Sequence, residues 1–367
     1  LDQLFVGVWE FVRYGITGWS WLGIVGFTLV ATHLTIIGVT LYLHRCQAHR
    51  ALELHPLISH PLRFWLWMAT GMVTKEWAAI HRKHHAKCET EEDPHSPQTR
   101  GIDKVLWQGA ELYREAAKDK ELVQRYGHGT PDDWIERHVY SKHSVLGVSL
   151  MLIIDVALFG VAGAAVWAIQ MAWIPFLAAG VINGIGHYWG YRNYKSPDTS
   201  TNISPIGILI GGEELHNNHH TFATSAKFSS KWYEFDIGWM YIRLLSLFGL
   251  AKARALPAEP LLNPAKQSID ADTIEAVISH KYELMASLSR AFKRDSRQQA
   301  SAADQVEKWT ELRKEFEALW SRRQMSVDQA VTALQSWCAR AESSGISALE
   351  EFSRRLRMYS PRRATAS

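Results

Sequence analysis

Cysteine is scarce in this chain: three in 367 residues, Cys46, Cys88 and Cys338, with no CxxC pair among them. That excludes a disulfide framework and a cysteine-held zinc or iron–sulfur site, and it reads as free thiols in a reducing compartment. An excess of one charge is missing as well. Forty Lys and Arg stand against thirty-seven Asp and Glu, for a net charge of +3, too little for a nucleic-acid partner. No GxGxxG run occurs, so a flavin or nicotinamide domain of that type is absent. The chain opens on Leu1 rather than methionine, and further sequence is expected to precede it.

Histidine and tryptophan are plentiful, with seventeen and sixteen residues. Nine histidines fall into a pattern: His44-x4-His49, His81-x2-His84-His85, His216-x2-His219-His220, and His187 four residues after Asn183. No single-ion site needs that many imidazoles, so the pattern points to two metal ions with about four or five nitrogen ligands each. On a helix, at about 100° per residue, positions i, i+3 and i+4 of each HxxHH box point into one sector, and its three rings are expected to converge on one point. Asn183 and His187 stack on one face. The step from His44 to His49 is too wide for one face unless the helix ends or unwinds there. The other eight histidines are read as non-ligands, with His33 three turns before His44 on the same face.

Apolar runs of membrane length cover about residues 19–43, 145–170 and 171–189, against the roughly 20 residues that a bilayer core demands. A fourth run, 56–80, is broken by His60, Pro61, Arg63 and Lys75. A full crossing there would carry His81 away from His44 and His49. It is therefore expected to lie in the interface or re-enter, as Trp65, Trp67 and Trp77 also suggest. The last two runs should go out and back through an uncharged turn near residues 167–173. Arg45, Arg50, Arg82, Lys83, Lys87, Arg100 and Lys104 accompany the boxes, which puts the metal site on the cytoplasmic side. An all-α integral membrane domain over residues 1–255 is then followed by a second domain, 256–367. There tryptophan thins, charge rises, and about four helices with breaks near 296–303, 325–327 and 343–346 form a soluble bundle. The bundle is expected to cap, oligomerise or dock a partner, and the tail 360–367 to be disordered.

A nitrogen-only ligand set takes zinc, copper, iron or nickel. A site where spanning helices meet the cytosol suits a substrate with an apolar chain and a polar head. Attack on an unactivated C–H bond needs dioxygen and external electrons at the metal, and two irons are the natural choice. A zinc hydrolase would want an open position and a general base. A metal transporter would string its ligands along a path through the membrane, whereas all nine lie on one side.

These residues resemble the membrane fatty acyl desaturase family, in its acyl-CoA delta-9 (stearoyl-CoA-type) branch, as a bacterial member. The likeness runs through Gly38-Val39-Thr40, His44-Arg45, His49-Arg50, Glu76-Trp77, His81-Arg82-Lys83-His84-His85 and Asp93-Pro94-His95. It continues through Asn183, His187-Tyr188-Trp189-Gly190-Tyr191-Arg192, Gly212-Glu213 and His216-Asn217-x-His219-His220-Thr221-Phe222, covering about residues 14–255. It implies a mushroom of spanning helices beneath a cytosolic helical cap. It also implies that His44, His49, His81, His84, His85, His187, His216, His219 and His220 bind two Fe2+ ions, that Asn183 holds a water on one of them, and that Trp77 lines a kinked substrate tunnel. Glu213 and Asp93 are candidates to orient imidazole N–H groups, and zinc is a possible substitute metal.

The activity so implied is insertion of a cis double bond, at delta-9, into a saturated acyl chain. The substrate is an acyl-CoA or a lipid-linked chain, with Arg63, Lys75, Arg192 and Lys195 candidates to face CoA phosphates. The resemblance places the enzyme in the bacterial inner membrane. A sister hydroxylase or terminal-alkene-forming decarboxylase is the alternative on the same scaffold. The chain departs from the family in two places. Only the stub 4–13 stands where vertebrate members have a first span, and no HPGG haem signature marks a fused cytochrome b5. Electrons then come from a separate ferredoxin or rubredoxin-like protein and its reductase.

Overall fold

The computed structural model describes residues 2–196, 198–253, 261–279, 284, 285, 287, 288, 303–321 and 325–360. The described residues are mostly helical and divide into two compact units, Leu1–Leu256 and Pro257–Ser367. The break expected at 296–303 lies outside the described residues except for Ala303, and so does the tail after Ser360.

The first unit opens with α1 (Asp2–Tyr14). Helix α2 starts at Trp21, where the Ser20 hydroxyl caps the Gly23 N–H. It runs unbroken to Ala48, 28 residues and about 42 Å at 1.5 Å per residue. Its last eleven residues, Gly38–Ala48, are wound as a π-helix. This helix and Val161–Ile185 are long and apolar enough to cross a bilayer. The second contains α9 (Val161–Ile174) and likewise ends in a π-helical stretch, Pro175–Ile185.

The out-and-back turn expected near 167–173 lies elsewhere. Helix α8 (Ser144–Phe159) stops at Gly160, whose φ of 61° and ψ of −141° suit only glycine, and α9 starts at the next residue. The run 145–170 is therefore two helices, and the second span begins at Val161 instead of Met171. Apolar residues on both sides hide this turn from hydropathy, and Asp155 and Gln170 are buried inside the hairpin. The run 56–80 likewise forms two helices, α3 (Pro56–Thr70) and α4 (Thr74–Lys87), separated at Gly71 in the left-handed conformation. Its tryptophans turn into the protein. Trp67 is buried and donates to the His143 carbonyl, while Trp65 donates to Thr35 of α2.

Beyond α4, a one-turn α5 (Pro97–Arg100) leads into α6 (Ile102–Ala117) and α7 (Lys120–Tyr126). Helix α6 lies in backbone contact with the π-helical stretch 175–185. A Cβ on Gly109 would sit 2.4 Å from the Ala179 carbonyl oxygen, and one on Gly180 would sit 2.4 Å from that of Leu106. After the hairpin come a loop region, α10 (His216–Thr221) and the apolar α11 (Ile237–Leu247). Two small sheets tie this region together. β1 (Leu52–Leu54) pairs antiparallel with β4 (Ala251–Ala253), and β2 (Ile206–Gly207) pairs parallel with β3 (Phe235–Asp236).

In the second unit α12 (Ala271–Ser279), α13 (Ala303–Ser321), α14 (Val327–Glu342) and α15 (Ser347–Arg357) enclose a core of their own. Trp337, Phe316, Leu334 and Leu349 are fully buried in it, and Trp337 donates to the Leu312 carbonyl. A Ser326–Gln329 capping box starts α14. The short strands β5 (Leu261–Leu262) and β6 (Tyr359–Ser360) pair antiparallel.

Because the helix–helix contact at Gly109 and Gly180 leaves no room for a methyl group, Gly109→Ala should destabilise the first unit by about 2 kcal/mol. A thermal melt in detergent checks this, and a melting temperature equal to that of the wild type would contradict the contact.

Candidate metal centre

The nine imidazoles meet at one end of the first unit. His44 and His49 close the π-helical end of α2, where the His49 N–H bonds the His44 carbonyl five residues back at 3.0 Å. That wide turn is the unwinding the x4 spacing calls for, and it brings the two Nε2 atoms to 3.1 Å. Ligand nitrogens of His44, His49, His81, His85 and His219 all lie within 4.8 Å of one another. Nε2–Nε2 separations in this group are 2.8 Å for His44–His81 and His49–His81, 3.1 Å for His85–His81 and 3.0 Å for His219–His85.

The second group is His84, His187, His216 and His220. His187 Nε2 lies 3.2 Å from that of His84 and 3.0 Å from that of His216. His220 and Cys88 fall within the same 4.8 Å sphere as His84 and His187. The boxes thus do not converge on one point each, as their spacing suggested. His81 and His85 serve one group while His84 serves the other, and α10 likewise sends His219 to the first and His216 and His220 to the second. A sector about 100° wide spans two centres a few ångströms apart.

The outer nitrogens are held by carboxylates. Glu213 Oε1 lies 2.6 Å from His44 Nδ1, both Asp93 oxygens lie 3.0 Å from His84 Nδ1, and Asp198 Oδ2 lies 3.1 Å from His220 Nδ1. Glu89 Oε1 and Cys88 Sγ flank His187 Nδ1 at 3.6 and 3.9 Å. Asp93 and Asp198, at hydrogen-bond distance, fix the proton on Nδ1 of His84 and His220 and leave their Nε2 lone pairs facing inward. Burial holds His49, His81, His85, His216, His219 and His220 well below the usual imidazole range, and neighbouring rings push them lower still. Burial lifts Asp93, but the facing His84 ring outweighs it and the carboxyl ends far below its ordinary value. Burial pushes Glu213 up to about 8, with Arg45 opposing.

Metal ions fit this donor set. Neutral imidazoles with lone pairs turned towards one another cannot satisfy each other, and His220 Nε2 is buried with no hydrogen-bond partner among the described residues. Nitrogens bound at about 2.1 Å to one ion, at right angles, sit about 3 Å apart, which is the spacing seen here.

A family model described as fatty acid desaturase matches residues 19–257. The chain belongs to the fatty acid desaturase family. This desaturase is 32% identical over 228 residues to sn-1 stearoyl-lipid 9-desaturase of Synechocystis sp., covering 61% of this chain and 69% of the relative. It is 28% identical over 257 residues to Delta-9 desaturase-like 5 protein of Arabidopsis thaliana, covering 68% and 79%. It is 30% identical over 247 residues to icosanoyl-CoA 5-desaturase of Limnanthes douglasii, covering 64% and 65%. The protein is an oxidoreductase that acts on fatty acyl chains.

A cavity of about 420 Å³ reaches the desaturase's metal groups. Trp77 lines it, stacked on His81 with ring centroids 5.0 Å apart, and Asn183, His44, His81 and His216 line it too. So does His95, a further histidine, buried 4.4 Å from the His84 ring, whose Nδ1 has no hydrogen-bond partner among the described residues. The spacing of His95 from the second box gave no cue. Cys88, one helical turn after His84, was visible as a position but carried no ligand pattern. Glu89 and Asp198 reach their histidines only through loop folding.

Two of the proposed phosphate-facing cations are occupied. Arg63 is buried and paired with Asp133 and Glu136 at 2.5 and 2.7 Å, and Arg192 folds back on Ser196 and the Asp198 carbonyl. Lys75 and Lys195 are exposed. His33 donates to or accepts from Tyr241 at 2.8 Å, away from the groups.

Two ions held in this way predict that His84→Ala purifies with one ion per chain instead of two. Asp93→Asn should keep two but weaken one of them by about 10- to 100-fold. Elemental analysis and chelator competition measure both, and full loading with unchanged affinity in either variant would remove His84 and Asp93 from the centre.

Proposed function

We propose that the chain is a di-iron acyl-CoA delta-9 desaturase, with the nine imidazoles as ligands and Asn183 holding a water at the second group. The observation that carries this proposal is the sorting of nine imidazoles into groups of five and four beside a cavity with mostly apolar walls. Two irons bound there would supply the oxidising power for removing two hydrogens from adjacent carbons. Overall, one saturated chain, O2, two electrons and two protons yield one cis-alkene and two waters. The electrons come from a ferredoxin or rubredoxin-like carrier with its reductase.

The chain's own residues do the rest. Val39, Ile80, Ile174 and Ile182 give the cavity an apolar wall that excludes water from the acyl chain. Trp77, braced on the His81 ring, turns the chain beside the metal groups, and this geometry fixes which C–C bond meets them. Glu213, Asp93, Asp198 and Glu89 keep the imidazoles aimed. Helix Trp21–Ala48 carries the boxes to the cytoplasmic face of a bacterial inner membrane, by the basic residues around them. Arg114 lines the cavity and is the partner for CoA phosphates. A second substrate, a lipid-linked acyl chain, is favoured by the name of the Synechocystis relative.

The test is analysis of total fatty acids from a desaturase-deficient host expressing this chain or its His219→Ala variant, with double bonds located chemically. A cis-delta-9 acid that disappears in the variant is the expected result. Hydroxylated acids or terminal alkenes would move the chain to the sister chemistry. Acyl-CoA and phospholipid fractions separated in a short labelled pulse show which carrier receives the double bond first.

A further inference from the structure

The cavity is not lined by apolar residues alone. Glu76 lines it, one residue before Trp77, and so do Tyr113 and Arg114 of α6. The Tyr113 hydroxyl is buried and has no hydrogen-bond partner among the described residues. The ring that carries it packs against Ala79, Ile80 and Leu122, and α6 is held at backbone contact through Gly109 and Gly180. A buried hydroxyl with no partner costs about 1–3 kcal/mol, so a position that keeps one, fixed and facing a cavity, suits a ligand that brings an acceptor. Burial pushes the Tyr113 phenol up, with the nearby Glu76 carboxylate adding to it, so the group is a proton donor at any working pH.

We propose that Tyr113 donates a hydrogen bond to the carbonyl oxygen of the acyl thioester or ester, and so sets the count of carbons between that carbonyl and the metal groups. The proposal rests on the desaturase reading above and names the anchor that a fixed double-bond position requires. An apolar tunnel alone lets a chain slide, because every methylene looks like the next.

The experiment is a two-by-two comparison of binding to the purified full chain, measured by calorimetry, with the carbonyl removed from the ligand and the hydroxyl removed from the protein. The probes are stearoyl-CoA and its carbonyl-free thioether S-octadecyl-CoA, beside a diacyl phospholipid and its dialkyl ether analogue. Wild type should prefer the carbonyl-bearing partner by about fivefold to tenfold, and Tyr113→Phe should erase that preference without changing affinity for the carbonyl-free one. The pair in which this occurs identifies the carrier. Products of the variant should spread to double-bond positions on either side of the parent one. A preference that survives in Tyr113→Phe, or an equal loss for both members of a pair, would overturn the anchor while leaving the desaturase reading intact. Failure of wild type to bind any of the four probes would overturn both.

Discussion

Lone pairs turned towards lone pairs are the constraint on which the first unit depends. Nine imidazoles, drawn from four separate segments, face one another, with Nε2 atoms about 3 Å apart in a buried to half-buried site. Without cations such an arrangement opposes folding, since each inward nitrogen gives up hydration and gains no proton. With cations it becomes the strongest set of bonds in the unit, and metal affinity is folding free energy. The surrounding carboxylates follow from this. Asp93 and Asp198 supply the Nδ1 of His84 and His220 with an acceptor, and they place negative charge beside a centre that would otherwise collect positive charge alone.

A second buried charge holds the parts in register. Arg45, next to His44 and fully buried, gives bonds to both Asp236 oxygens at 2.8 and 3.2 Å and to the carbonyls of Gly211 and Ala226, with the Phe228 ring 3.8 Å away. Removing either partner would strand a charge in a dry site. Through this one residue the end of α2 is fixed to the loop before α10 and to the start of α11, so the first and third boxes cannot drift apart. Glycines at 212 and 238 leave the space that the guanidinium and its partner fill.

The histidine boxes stood out in the sequence because few roles need so many histidines at such spacings. Their division between two groups did not, since it depends on how α4 and α10 are set against each other and not on either helix alone. The turn at Gly160 was hidden because Phe159 and Val161 are as apolar as any residue in a span, and backbone dihedrals leave no mark on hydropathy. Arg63 read as a surface cation because its partners Asp133 and Glu136 lie seventy residues away in sequence. The cavity's polar lining escaped notice for the same reason, Tyr113 being an unremarked residue of an amphipathic helix until the fold brings it and Glu76 to one cavity.

The π-helical ends of the two long helices bear on how such a chain can change over generations. In Gly38–Ala48 the backbone carries one residue more per closed turn than an α-helix would, and His44 and His49 meet only because of it. Rewound as an ordinary α-helix with the same residues, the five-residue step would set the two imidazoles about 140° apart. The winding of this segment, and not its composition, is therefore what has to be kept as its residues change, although nothing in its hydropathy marks it off from Trp21–Ile37.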